Sequence, residues 1–123
     1  MPNSKITEFE QLDVWQNAQD IAVRVYKASR RFPNEERFSL VDQIRRSSSS
    51  ISANIAEGFG RQSRKEKVQF YSIAYGSLLE TRSHLHLAIK LRYLDDANIQ
   101  NLLDNIKICQ KQLNSLIRAI KNG

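Results

Sequence analysis

Between Gln43 and Arg64 the chain reads QIRRSSSSISANIAEGFGRQSR, and this stretch restricts the fold more than any other. Placed on a helix, Leu40, Ile44, Ser47, Ile51, Ile55 and Gly58 fall within one narrow apolar or small arc. The opposite side is also nearly bare, because Ser49, Ser52, Ala53 and Ala56 add little bulk. A helix that is slim on both flanks lets two neighbours come close. The segment is therefore expected to be central and packed on more than one side.

The rest of the chain supplies helices to surround it. Asp13 is a good N-cap with Gln16 three residues later, and Val14, Ala18, Ile21, Val25, Ser29 and Phe32 recur at spacings of three and four. Arg24, Lys27 and Arg31 lie away from that stripe, and Pro33 stops the helix. Asn34 can cap the second helix, with Ser39 (and Asp42 at the box position) as a later alternative, and Gly58 or Gly60 can end it in the left-handed conformation. Ser63-Arg-Lys-Glu66 is a capping box for a third helix, a rod of roughly 45 Å if it continues to Tyr93. Asp95 or Asp96 caps a fourth, whose seam runs through Ile99, Leu102, Leu103, Ile106, Cys109, Leu113, Leu116, Ile117 and Ile120. The expected helices are residues 13–32, 35–58, 64–93 and 96–121, after an extended arm at 1–12 anchored by Phe9 and Leu12. Short connections imply an antiparallel, up-down four-helix bundle.

The third helix carries more apolar surface than one bundle can hide. Tyr71, Tyr75, Leu78, Leu85 and Ile89 form its main stripe, while Ile73, Leu87 and Leu91 lie nearly opposite. Self-association is the simplest way to cover both. Ser49, Ser52, Ala53, Ala56, Ile73, Leu87 and Leu91 are the candidate packing residues for a homo-oligomer.

With only 4 Gly and 2 Pro, the chain lacks the punctuation that a strand-and-turn fold needs. No apolar run approaches the ~20 residues of a membrane span, and the start, MPNSKITEFEQ, has no apolar core of a secretory signal. Cys109 is the one cysteine, so no internal disulfide can form, which fits a reducing cytoplasm. On the helix seam it reads as a small core residue. Lys plus Arg number 19 against 13 acids, a net charge of +6 that favours a polyanion partner without requiring one.

Several blocks together resemble the four-helix family of the 23S rRNA intervening-sequence protein. They are Phe9-Glu-Gln-Leu-Asp-Val-Trp15, Phe32-Pro33 followed by Glu36, Gln43-Ile-Arg-Arg46, Ser50-Ile51 leading into Asn54-Ile-Ala-Glu-Gly58, Arg61, and Ala74-Tyr-Gly-Ser-Leu78 with Glu80. The resemblance covers residues 9–94, and the fourth helix matches in pattern only. Ser47-Ser48 departs from it, since the family usually has alanine there. The resemblance implies up-down protomers assembled as a ring-like homopentamer. It also implies a link to insertions in bacterial 23S rRNA genes, and to a branch serving as the accessory protein of diversity-generating retroelements, whose basic surface binds nucleic acid and the reverse transcriptase.

Two cationic clusters are candidates for RNA or DNA contact: Arg61, Arg64, Lys65 and Lys67 at the head of the third helix, and Lys107, Lys111, Arg118 and Lys121 along the fourth. A solvated bundle face explains either cluster alone. No aromatic residue interleaves with the cations, so base stacking is not indicated. Gln43, Arg45, Arg46, Asn54, Glu57 and Glu80 read as a structural polar network that fixes helix register. Glu80 and His84 could share a metal, but a metal–carboxylate bundle needs further inward carboxylates, and His86 points about 200° away from His84. The sequence therefore predicts an all-α, non-enzymatic homo-oligomer without metal or cofactor. Its partners are itself, RNA or DNA, and a protein encoded nearby; the alternative is a protein-interaction scaffold with no nucleic-acid role.

Overall fold

The computed structural model describes residues 5–123. It contains α1 (Asp13–Ser29), α2 (Leu40–Gly60), α3 (Arg64–Lys90) and α4 (Asp96–Asn122), with short 3-10 turns at Phe9–Gln11 and Asn34–Glu36. Residues 1–4 of the expected arm lie outside the described residues. Among the described residues there is no strand, and no helix is long and apolar enough to cross a membrane. Each of α1 and α3 packs on both α2 and α4, so α1 and α3 face each other across the core.

The helix ends differ from the expected ones for identifiable reasons. Asp13 is the first helical residue, and Leu12 holds the N-cap position. Helix α1 stops at Ser29, where Arg31 and Phe32 turn to bond the carbonyls of Ala28 and Ser29, tucking Phe32 into the core. Helix α2 starts at Leu40 because Glu36 is held elsewhere: its carboxylate accepts from the Tyr93 hydroxyl at 2.7 Å and from the Leu40 amide at 3.4 Å. That hydrogen bond pushes the Tyr93 hydroxyl up to about 12. Ser39 sits at the N-cap without a side-chain bond. Helix α3 ends at Lys90, since Arg92 takes a left-handed φ of 65° and turns the chain. The expected caps at Ser63 and Asp95 are present: Ser63 Oγ accepts from the Glu66 amide at 3.1 Å, and Asp95 accepts from Ala97 at 3.2 Å.

Neither Gly58 nor Gly60 ends α2 by a left-handed residue; the chain leaves the helix through extended Arg61. Gly58 instead serves close packing. A Cβ there would lie 2.6 Å from Cε1 of Tyr71, whose ring is buried and cannot swing away. The same closeness lets hydroxyls bridge α2 and α3 further along. Thr81 Oγ1 donates to Ser47 Oγ at 2.9 Å, and Ser77 Oγ donates to Ser50 Oγ at 3.0 Å. On its other flank α2 meets α1. There Gln19 Nε2 donates to Ser52 Oγ at 2.8 Å and Arg45 Nε to Ser29 Oγ at 2.8 Å, with the Arg45 guanidinium over the Tyr26 ring. The slim flanks of α2 thus admit α3 on one side and α1 on the other.

Gly58→Ala should force a displacement of Tyr71 and destabilise the fold by about 1–3 kcal/mol, despite alanine's better helix propensity. Gly60→Ala, with nothing within 4 Å of its Cβ, should be neutral or stabilising by up to ~1 kcal/mol. Urea denaturation of the two variants checks this. Equal stabilities would show that the Tyr71 contact does not set the helix spacing.

Candidate nucleic-acid interface

The turn from α2 into α3 consumes part of its own positive charge. Lys67 Nζ donates to the Phe59 carbonyl at 2.7 Å and to the Gly58 carbonyl at 3.3 Å, satisfying the open end of α2. Arg61 pairs with Glu57 at 3.2 Å, reaches Glu66 at 4.0 Å and stacks over the Phe70 ring. Arg64 donates to the Gly123 carbonyl, while Lys65 makes no ion pair or hydrogen bond among the described residues. Of the four cations at the head of α3, Arg64 and Lys65 are the exposed pair.

Lys107, Lys111, Arg118 and Lys121 all stand exposed on α4, and none forms an ion pair among the described residues. Asp104, the last acid of the chain, is engaged by Gln100 at 3.0 Å. From Lys107 to Lys121 the row spans roughly 21 Å of helix. The Arg64–Gly123 contact brings the head of α3 to the tail of α4, so the two clusters meet at one end of the bundle. Such a row can meet successive phosphates by charge alone, with no base-reading geometry.

The six polar residues expected to form a network divide into separate contacts. Arg45 ties α2 to α1. Asn54 Nδ2 donates to the Ser50 carbonyl at 2.8 Å beside the Ser50–Ser77 bridge to α3. Arg46–Asp42, Glu57–Arg61 and Glu80–His84 are pairs one helical turn apart, and Gln43 is exposed without a side-chain bond among the described residues. The described residues gather no group of three or more His, Cys, Asp or Glu. Cys109 is buried, which pushes its thiol up to about 12 and leaves it a core residue.

Among the candidate packing residues, Ser52 is buried against α1, whereas Ser49 and Ala53 face outward and Ala56 is half-buried. Ile73, Leu87 and Leu91 are 45%, 46% and 44% exposed, so one side of α3 remains uncovered. Arg24, Lys27 and Arg31, given no role by the sequence, line a groove with the start of α4. Their spacing of three and four was the available signal, but only the placement of α4 makes a cavity of it.

A family model described as 23S rRNA-intervening sequence protein matches residues 10–115. The fold is similar to a crystal structure of a protein of unknown function, from the S23 ribosomal protein family of Bacteroides thetaiotaomicron VPI-5482. The TM-score is 0.78 at 30% sequence identity, covering 85% of this chain and 95% of that one. No curated protein matches the chain.

Because Lys67 caps α2, Lys67→Ala should cost about 1 kcal/mol in chemical denaturation. Lys65→Ala should stay within about 0.5 kcal/mol of the parent. If both are silent, Lys67 is an ordinary surface cation and rejoins the candidate interface.

Proposed function

The chain belongs to the 23S rRNA-intervening sequence protein family, and from that premise we propose a non-enzymatic, antiparallel up-down protomer that self-associates and presents a cationic rim to RNA or DNA. The observation that carries the reading is the unpaired row Lys107, Lys111, Arg118 and Lys121, extended by Arg64 and Lys65 where α3 and α4 meet. The family's description refers to an intervening sequence of 23S rRNA, which makes a structured RNA the first polyanion to test.

Contacts between helices support the up-down order. Residue numbers rise on one partner as they fall on the other: Ser47 with Thr81 and Ser50 with Ser77, and likewise Asn17 with Gln112 and Asp20 with Asn105. Two unlike uncovered patches support assembly. One is Ile73, Leu87 and Leu91 on α3; the other is Val23 and Tyr26 on α1 beside Ser49 on α2. Unlike patches that meet head to tail give a ring when the rotation between copies closes, and a closing rotation would suit the homopentamer implied by the family resemblance. A ring repeats the rim once per copy, and a cytoplasmic setting suits the lone buried thiol. The second reading is a scaffold for a protein partner, such as one encoded by a neighbouring gene; Phe38, 87% exposed beside Arg37, favours it as a ready aromatic anchor.

Affinity for a structured RNA should fall linearly with the logarithm of salt concentration, and Lys107→Glu with Lys111→Glu should flatten the slope by about 2. No binding at low salt would leave the scaffold reading in place. In light scattering the parent should show a multiple of 14.2 kDa. Leu87→Asp with Leu91→Asp should reduce it to a single protomer while circular dichroism keeps its helicity. A parent that runs as one chain would remove the assembly.

A further inference from the structure

Helix α1 and the start of α4 enclose a groove of about 360 Å³, within the size range of small-ligand sites, roughly 300–1,000 Å³. Arg24 and Lys27, three residues apart on one edge of α1, stand along one wall, and Arg31 joins them from the turn that follows Ser29. Asn98 and Asn101, both exposed, form the other wall, and neither carboxamide bonds a protein group among the described residues, which leaves both open to solvent or a ligand. The floor contains Leu94, Ile99 and Leu102, all in the core. A cationic wall, a free amide wall and an apolar floor suit a ligand with an anionic group and a flat, partly polar body.

The charges around the groove narrow the ligand. Arg24 is already paired with Asp20 at 3.2 Å, while Lys27 and Arg31 form no ion pair among the described residues. Asp95 and Asp96 lie with Arg31, Arg92 and Tyr93 in the adjoining depression. Carboxylates at both ends leave room for one phosphate rather than a run of them. Lys27 and Arg31 also complement the negative end of α1, a role that leaves their outer donors open to an anion. The geometry points to a binding site for a nucleoside monophosphate in the α1–α4 groove, its phosphate on Lys27 and Arg31 and its base along Asn98 and Asn101.

The same chemistry is offered by a free nucleotide and by the phosphorylated end of an RNA. The site shares no residue with the rim on α3 and α4, so it is tested separately from RNA binding by that rim; Lys27 also borders the α1 patch proposed for assembly. The test is an NMR titration of the full chain with adenosine 5′-monophosphate, adenosine, inorganic phosphate, and a short RNA with either a 5′-phosphate or a 5′-hydroxyl. Saturable shifts at Lys27, Arg31, Asn98 and Asn101, with Kd on the order of 1 mM or tighter, are expected for the monophosphate. Adenosine should bind at least about tenfold more weakly, and Lys27→Ala with Arg31→Ala should lose about tenfold or more. Where the monophosphate saturates, shifts from the 5′-phosphorylated but not the 5′-hydroxyl RNA would identify a chain end as a second occupant of the site. Asn98→Ala with Asn101→Ala, which keeps every charge, should weaken the monophosphate and spare inorganic phosphate. The site is overturned by an absence of saturation up to about 10 mM, by equal affinity for inorganic phosphate and the nucleotide, or by binding that survives both double variants.

Discussion

The Tyr71 ring occupies the space where a side chain at position 58 would stand, and this contact sets how near α3 lies to α2. Hydroxyl bridges follow from the spacing. Ser47–Thr81 and Ser50–Ser77 close at 2.9 and 3.0 Å only because both helices carry small residues along the seam. Serine in a helix interior ordinarily competes with backbone hydrogen bonding. Here Ser47 and Ser48 each donate to the carbonyl three residues back while they fill the seam, so buried polar atoms are answered within the helix. Close spacing would be impossible with leucine at these positions.

A tightly held α3 presents its remaining circumference outward. Tyr71, Ala74, Leu78, Leu85 and Ala88 are buried, and the stripe half a turn away has no helix of the same protomer to meet. Scattered exposed leucines are ordinary on a protein surface. Ile73, Leu87 and Leu91 are not scattered, since spacings of fourteen and four residues return them to one side of the helix. The weak amphipathic contrast of α3 is thus a consequence of two apolar sides.

Sequence periodicity made the helix count, the core stripes of α1 and α4, the caps at Ser63 and Asp95 and the crowding of α3 legible, because each is decided within a few residues. The misplaced ends were decided across the fold. Helix α2 begins late because Glu36 is tied to Tyr93, 57 residues away. Glycine at 58 suggested a helix stop, since local chemistry cannot distinguish a left-handed cap from a place where a neighbour leaves no room for a Cβ. Ser52 looked like part of an open face until α1 lay across it. In the candidate interface, Lys67 and Arg61 count as cations in the sequence, but the first satisfies the end of α2 and the second is shared between two carboxylates.

That subtraction sharpens the remaining electrostatics. A cation already bonded inside the protein has little left to offer a phosphate, whereas the cations of α4 form no ion pair among the described residues. A row of this size on one protomer is nonetheless a modest ligand, because each phosphate contact adds only a slope of about 0.9 in the salt dependence of the affinity. Affinity from such a row would grow by repetition: copies arranged around an axis would engage one polyanion as linked sites, since linkage raises the local concentration of every later contact. In the proposed assembly the uncovered side of α3 and the cations of α4 would therefore be coupled although they share no residue. Burying the first between copies of that assembly would bring the second together.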